Sequence, residues 1–171
     1  MTELIYPEMP EHSLLVLIGP SGAGKSTIAR TWPASQVLSL DALREVVSDD
    51  AGDQDATGDA VAALHLLLEA RMRRQLFTVV DATNVTRFAR EPLVAAAKRH
   101  DMLPIAVMVT TPGSVCIERQ GPRPANRTVP EHVVVKQRQD MVARTGPSRR
   151  RDSPRLSSPT ASTGSCRTWS A

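Results

Sequence analysis

Leu14-Leu15-Val16-Leu17-Ile18-Gly19-Pro20-Ser21-Gly22-Ala23-Gly24-Lys25-Ser26-Thr27 is the stretch that decides how this chain is read. Five apolar residues make a short buried strand, and the run from Gly19 to Ser26 then fills every fixed position of G-x-x-x-x-G-K-[ST]. Glycines let the backbone curl so that successive N–H groups face one concavity, which a chain of phosphates fills. A helix opening near Lys25 adds unsatisfied N–H groups and the positive end of its dipole. In this pattern Lys25 reaches the β- and γ-phosphates, and the Ser26 hydroxyl takes a place on Mg²⁺. The whole loop, residues 19–27, is therefore expected to hold a nucleoside triphosphate, with Ser26 toward the metal.

Composition bounds what surrounds that loop. A chain of 171 residues with 41% hydrophobic content suits one domain with a real core. The formal charge of +3 is misleading as a sign of nucleic-acid binding, because residues 146–171 hold five arginines against one aspartate, which leaves the first 145 residues at −1. Cys116 and Cys166 are far apart and have no metal or redox spacing, which fits a reducing cytoplasm. No apolar run approaches membrane-spanning length, so no membrane partner is expected. With only five aromatic residues there is no evident base-stacking platform.

Outward from the loop, strands and helices alternate. Residues 1–12 read as a loose lead-in, 13–18 as the first strand and 25–32 as a helix ended by Pro33. A short apolar run over 36–40 stops at Asp41, which has the look of a helix N-cap before a short helix over 43–47. Acidic turn-forming residues over 48–57 precede a long helix over 60–75, in which Val61, Leu64, Leu68 and Met72 recur at helical spacing. A third strand covers 76–80, a helix 86–100 contains Pro92, and a fourth strand covers 103–109. Thr111-Pro112 opens a helix with proline in its first turn, Gly121-Pro122-Arg123-Pro124 breaks it, and a last helix runs over 131–144.

This order predicts an α/β P-loop NTPase/kinase fold over 13–144, a parallel sheet of about four strands with helices on both faces. Ligands in such sheets sit at the carboxyl ends of the strands, where Gly19, Asp41 and Asp81 all fall. Residues 145–171 are Ser, Thr, Pro, Gly and Arg without apolar periodicity, a composition of disorder that a truncated or frame-shifted end would also give.

A phosphate loop alone serves many chemistries, so its neighbours must discriminate. No guanine-reading N-K-x-D element occurs in the chain. Asp41 at a strand end, with Arg44 three residues on, places an acid and a guanidinium on one helix face. The acid could take a proton from an attacking hydroxyl and Arg44 could hold an anionic group of the acceptor; plain helix capping explains Asp41 equally well. Asp81, followed by Thr83 and Asn84, is a second strand-end acid, where the acid near Mg²⁺ usually sits. Arg119, Arg123 and Arg127 recur at a spacing of four around the proline-glycine break and read as a mobile lid over a transferring phosphoryl group.

Taken together, Gly19–Thr27, Leu38-Ser39-Leu40-Asp41 with Arg44, Val47-Ser48-Asp49-Asp50 with Asp53-Gln54, Val79-Val80-Asp81-Ala82-Thr83-Asn84, and Val115-Cys116-Ile117-Glu118-Arg119 with Arg123 resemble the 5′-hydroxyl polynucleotide kinase family. The likeness is to the N-terminal kinase domain of bacterial polynucleotide kinase–phosphatases of RNA repair, over residues 10–144. It implies ATP and Mg²⁺ as cofactors and phosphorylation of the 5′-hydroxyl end of RNA or DNA. Lys25 and Ser26 would hold the triphosphate and metal, and Asp41 would be the general base. Arg44 would meet the substrate phosphate, Asp81 would support Arg44 or the metal region, Asn84 would join them on the substrate side, and Arg119 and Arg123 would be lid arginines on the donor phosphates. Family members commonly carry Ser-Ser-Asp where Leu40 precedes Asp41, and Glu-Arg-Asn where Gln120 follows Arg119. The phosphatase and ligase modules of the multidomain relatives are absent from this chain, so association with such modules is an expectation too. Two other readings stay open: a P-loop kinase of a small metabolite or nucleoside, and a non-catalytic ATP-binding fragment.

Overall fold

A computed structural model describes residues 9–143. The expected tail, and all but the last few residues of the lead-in, lie outside that range.

Four strands, β1 (Ser13–Ile18), β2 (Val37–Ser39), β3 (Thr78–Asp81) and β4 (Leu103–Met108), form one sheet in the order β2-β3-β1-β4. Every pairing is parallel, with Leu15 level with Val79 on one side and with Ile105 on the other, and Leu38 level with Val80. Parallel neighbours require a crossover between them, which α1 (Lys25–Ala29), α2 (Leu40–Ser48), α3 (Thr57–Met72) and α4 (Arg87–Arg99) supply; α5 (Gly113–Glu118) and α6 (Glu131–Val142) follow the last strand among the described residues.

Alternation along β1 builds the two faces of the core. Leu14, Val16 and Ile18 point to one side, where Val80 joins Leu64, Leu68 and Met72 of α3 and Leu93, Ala96 and Ala97 of α4. Leu15, Leu17 and Val79 point to the other, against Ile28, Ala29 and Trp32. Both β1 and β3 are buried along their whole length, which is why they read as unbroken apolar runs. A third cluster of Ala23, Cys116 and Val134 fastens the phosphate loop to α5 and α6. Across one flank Arg71 of α3 donates to Thr78 Oγ1, the Phe77 carbonyl and the Ser35 carbonyl at 2.9, 2.8 and 2.6 Å, joining helix, strand and the turn before β2. Among the described residues no helix is long and apolar enough to cross a membrane.

Several boundaries differ from expectation for local reasons. α1 stops at Ala29, because the chain tightens into single turns ahead of Pro33 and then makes a 3₁₀ turn over Ala34–Gln36. Asp41 is not an N-cap: α2 starts one residue earlier, at Leu40, and Ser39 in extended geometry precedes it. Asp41 thus stands in the first turn, where a carboxylate suits the positive end of the helix. Pro112 likewise precedes α5 instead of sitting in its first turn. The side chain that caps α4 is Thr86, whose Oγ1 accepts the Ala89 N–H at 3.2 Å, and Pro92 lies inside that helix without ending it.

Candidate active site

Because all four strands run the same way, their carboxyl ends share one edge, and a cleft of about 850 Å³ opens there. Gly22 to Thr27, Asp41, Arg44, Asp81, Arg119 and Arg123 all line it. The loop is set from behind: the Gly19 N–H donates to the Thr83 carbonyl at 3.0 Å, and Thr111 Oγ1 donates to the Ala23 carbonyl at 2.7 Å. Gly22 and Gly24 take φ of 82° and 100°, which only glycine adopts without strain. The Lys25 ammonium donates to the carbonyls of Gly19 and Pro20, both at 2.9 Å, which leaves one of its three N–H donors for a ligand. Burial pulls the Lys25 pKa down, and the nearby carboxylates of Asp81 and Asp41 oppose that pull.

Asp81 ends β3 beside this lysine. Burial raises its pKa, against a hydrogen bond from Ser26 and the attraction of Lys25. Ser26 and Asp81 therefore offer paired hard oxygens next to the phosphate loop. That donor set fits Mg²⁺, which takes one or two protein oxygens and completes its shell with water and substrate phosphate. Among the described residues no group of three or more His, Cys, Asp or Glu side chains is arranged to hold a metal ion. Asp81 has Ser26 and Lys25 among its neighbours and shares the cleft with Arg44.

Another wall of the cleft is built by α2 and the loop after it. Arg44 Nη2 meets Asp41 Oδ1 at 3.0 Å, the i, i+3 pairing that the sequence implies, and Arg44 Nη1 donates to the Ala51 carbonyl at 2.6 Å. Arg44 Nε and Thr57 Oγ1 are buried with no hydrogen-bond partner among the described residues. Arg127 reaches over from the opposite side to Asp41 Oδ2 at 3.4 Å, so two guanidinium groups orient one carboxylate. Beside it, Asn126 Nδ2 donates to both Asp50 oxygens at 2.9 Å. The Gly52 N–H holds Asp50 as well, and this bond is the larger cause of its lowered pKa. Gly52 is needed for the approach, since a Cβ there would lie 2.7 Å from the Asn126 carbonyl oxygen.

The three arginines expected in a lid come from three different places. Arg119 caps the end of α5, Arg123 lies in the following turn and Arg127 ends a 3₁₀ turn over Ala125–Arg127. They reach separate partners: Arg119 Nη1 donates to the Gly22 carbonyl at 3.1 Å, Arg123 Nη1 to Ser21 Oγ at 3.0 Å, and Arg127 to Asp41. Buried Gln120 organises this corner, donating to the Cys116 carbonyl and accepting from Arg123 and the Val129 N–H. Gln137 of α6 accepts the Ser21 N–H at 2.8 Å.

Most expected site residues thus share one cavity, with three departures. Gly19 and Pro20 lie behind it and present carbonyls to Lys25. Asn84 is buried at φ 49°, its amide donates to the Leu17 carbonyl at 2.9 Å, tying the β3 end to β1, and it does not line the cleft. The sequence showed Arg127 only as the third arginine of a series, and nothing in it marked Gln137.

Comparison with known proteins agrees with this geometry. The sequence family described as an AAA domain matches residues 14–147. No curated protein matches the chain. In the Pnkp1/Rnl/Hen1 RNA repair complex, one chain superposes with a TM-score of 0.65 at 17% identity, over 80% of this chain. The present chain spans only 46% of that protein's length. A candidate kinase of Chloroflexus aurantiacus superposes with a TM-score of 0.59 at 17% identity, covering 77% of this chain and 78% of the other. At such identity the two structures show a shared fold. The matched sequence family, spanning most of the chain, shows descent: this protein belongs to the AAA domain family and carries the P-loop NTPase/kinase fold.

Proposed function

We propose that this P-loop kinase transfers the γ-phosphate of ATP to a hydroxyl group, and that the acceptor is the 5′-hydroxyl end of a nucleic acid. The observation that carries the transfer reading is Asp41, which stands in the same cleft as the phosphate loop, held by Arg44 and Arg127 and near enough to Lys25 to act on its charge. Asp41 would accept the hydroxyl proton as the acceptor oxygen forms its bond to phosphorus and ADP departs with the electrons of the broken bond. Lys25 and the N–H groups that open α1 would hold the β- and γ-phosphates. Arg119 and Arg123, already on the loop, would stabilise charge on the moving phosphoryl group. Mg²⁺ held by Ser26 and Asp81 would neutralise the β- and γ-oxygens.

The order of motifs supports a nucleic-acid acceptor, and the repair-complex likeness is consistent with it. One observation favours a small acceptor instead. Asp49, Asp50, Asp53 and Asp55 lie in the segment between α2 and α3 whose Ala51, Gly52 and Gln54 line the cleft, and negative charge there would oppose a polyanion. Labelled γ-phosphate, offered with a 5′-hydroxyl RNA, a 5′-hydroxyl DNA and a panel of nucleosides in competition, separates the two. Label on the oligonucleotide that excess nucleoside does not suppress supports the first reading. Label on the nucleoside alone replaces it with the second. ATP binding without transfer to any acceptor points to a nucleotide-binding fragment and removes both.

A further inference from the structure

Helix α6 carries none of the motifs that define the loop or the lid, yet it contributes a side chain to the cleft. Val134 and Met141 of α6 are buried, and Gln137 lies between them on the same inward face, three residues after the first and four before the second. Its Oε1 accepts the Ser21 N–H at 2.8 Å, and the side chain lines the cavity.

That single contact fixes the orientation of the whole amide. A backbone N–H can only donate, so the atom facing Ser21 must be the amide oxygen, and the NH₂ group is turned to the other side. No hydrogen-bond partner for that NH₂ exists among the described residues. Two further facts locate it. Ser21 sits at the tip of the loop, away from the helix N-terminus at Lys25, and its hydroxyl already accepts from Arg123. Gln137 therefore meets the loop at the residue that Arg123 also holds. With Lys25 and the N–H groups that open α1 on the β- and γ-phosphates, the loop tip, where Arg123 and Gln137 both meet Ser21 and Arg119 meets Gly22, would lie beside the transferable γ-phosphate.

We infer that Gln137 is a further phosphate-site residue, whose side-chain NH₂ donates to the γ-phosphate of ATP while its carbonyl holds the loop tip through Ser21. This rests on the reading that the loop holds ATP. Gln137 acts on the terminal phosphate only, so it distinguishes ATP from ADP. It also carries no charge, so it adds direction without holding the departing group electrostatically.

A purely structural role, propping Ser21, must be told apart from this one, and Gln137→Glu does so. The glutamate still offers an oxygen to the Ser21 N–H, but it puts an anionic oxygen where the NH₂ donors were. Calorimetric titration of ATP and of ADP, each with Mg²⁺, into wild type and Q137E gives the comparison, and a melting curve of each confirms an intact fold. The expected result is about a tenfold or greater loss of ATP affinity, the scale of one hydrogen bond to a charged group replaced by repulsion. ADP affinity stays within about twofold and the melting temperature holds. Equal losses for ATP and ADP, or no loss for either, would show a prop and overturn the assignment. Gln137→Met, which removes both hydrogen bonds, serves as second variant: it should also weaken ATP more than ADP, and uniform weakening would count against the inference. Wild type that binds neither nucleotide would overturn the ATP reading of the loop together with it.

Discussion

Gly22 and Gly58 allow the packing of the lid on the phosphate loop to be tested with one kind of substitution that should act in opposite directions. Gly22 has φ of 82°, and a Cβ built on it would lie 2.4 Å from the Cys116 carbonyl oxygen and 2.7 Å from Gln120 Nε2. An alanine in left-handed geometry costs roughly 1–2 kcal/mol. The carbonyl belongs to the backbone of α5 and would have to retreat by about 1 Å to reach ordinary contact, an overpacking that costs a further ~1–3 kcal/mol. Gly22→Ala should therefore destabilise the domain by about 2–5 kcal/mol, a fall in melting temperature on the order of 10 °C. It should weaken nucleotide binding too, because Arg119 and Gln120 move with the end of α5. Gly58, the second residue of α3, has nothing within 4 Å of a built Cβ. Gly58→Ala should raise stability by about 0.5–1 kcal/mol, since alanine loses less backbone freedom on entering a helix. Differential scanning calorimetry of both variants checks the pair. A Gly22→Ala protein that melts within about 2 °C of wild type would refute the close docking of α5 on the loop.

Other perturbations test separate parts of the account. Asp81→Asn should raise thermal stability at neutral pH while weakening Mg²⁺-dependent nucleotide binding. The sign follows from the raised pKa of Asp81: its contribution to stability is complete below the ordinary value of 3.8 and is lost as pH rises through the folded-state value. The variant's advantage should thus be absent in acid below about pH 3.8 and constant well above it, and an N variant that melts lower at pH 7 would contradict burial as the dominant cause. Arg71→Ala removes three hydrogen bonds that join α3 to β3 and the turn before β2, and should cost about 2 kcal/mol in urea unfolding with nucleotide affinity preserved. A loss below about 0.5 kcal/mol would show that guanidinium to be ornamental.

The sheet and its functional edge were legible because local rules and global arrangement agree. An apolar run before a glycine loop can only be a central strand, and each subsequent strand-helix step repeats the crossover that a parallel sheet demands. Hence Gly19, Asp41 and Asp81 were already assigned to one edge. Asp41 was misread as a cap because an acid after a short strand satisfies the capping rule; the extended Ser39 and the earlier start at Leu40 depend on how α2 packs, which spacing does not encode. The inward bond of Asn84 was hidden for a similar reason: a polar residue after a strand-end acid reads as a site residue, and spacing does not show the positive φ at which its amide meets Leu17. The contacts of Arg127 with Asp41 and of Gln137 with Ser21 join residues 86 and 116 positions apart. Such pairings come from the docking of the lid and α6, and no local pattern announces them.

Asp41 and the phosphate loop make separable contributions if the transfer reading is right, so one paired measurement bears on it most directly. Wild type and Asp41→Asn would be compared for ATP affinity and, in a single turnover, for transfer of labelled γ-phosphate to a 5′-hydroxyl oligonucleotide. The account predicts ATP affinity within about twofold in the two proteins and a transfer rate reduced on the order of 10²–10⁴-fold in the variant, the range for loss of a general base. Transfer by Asp41→Asn at the wild-type rate would contradict it.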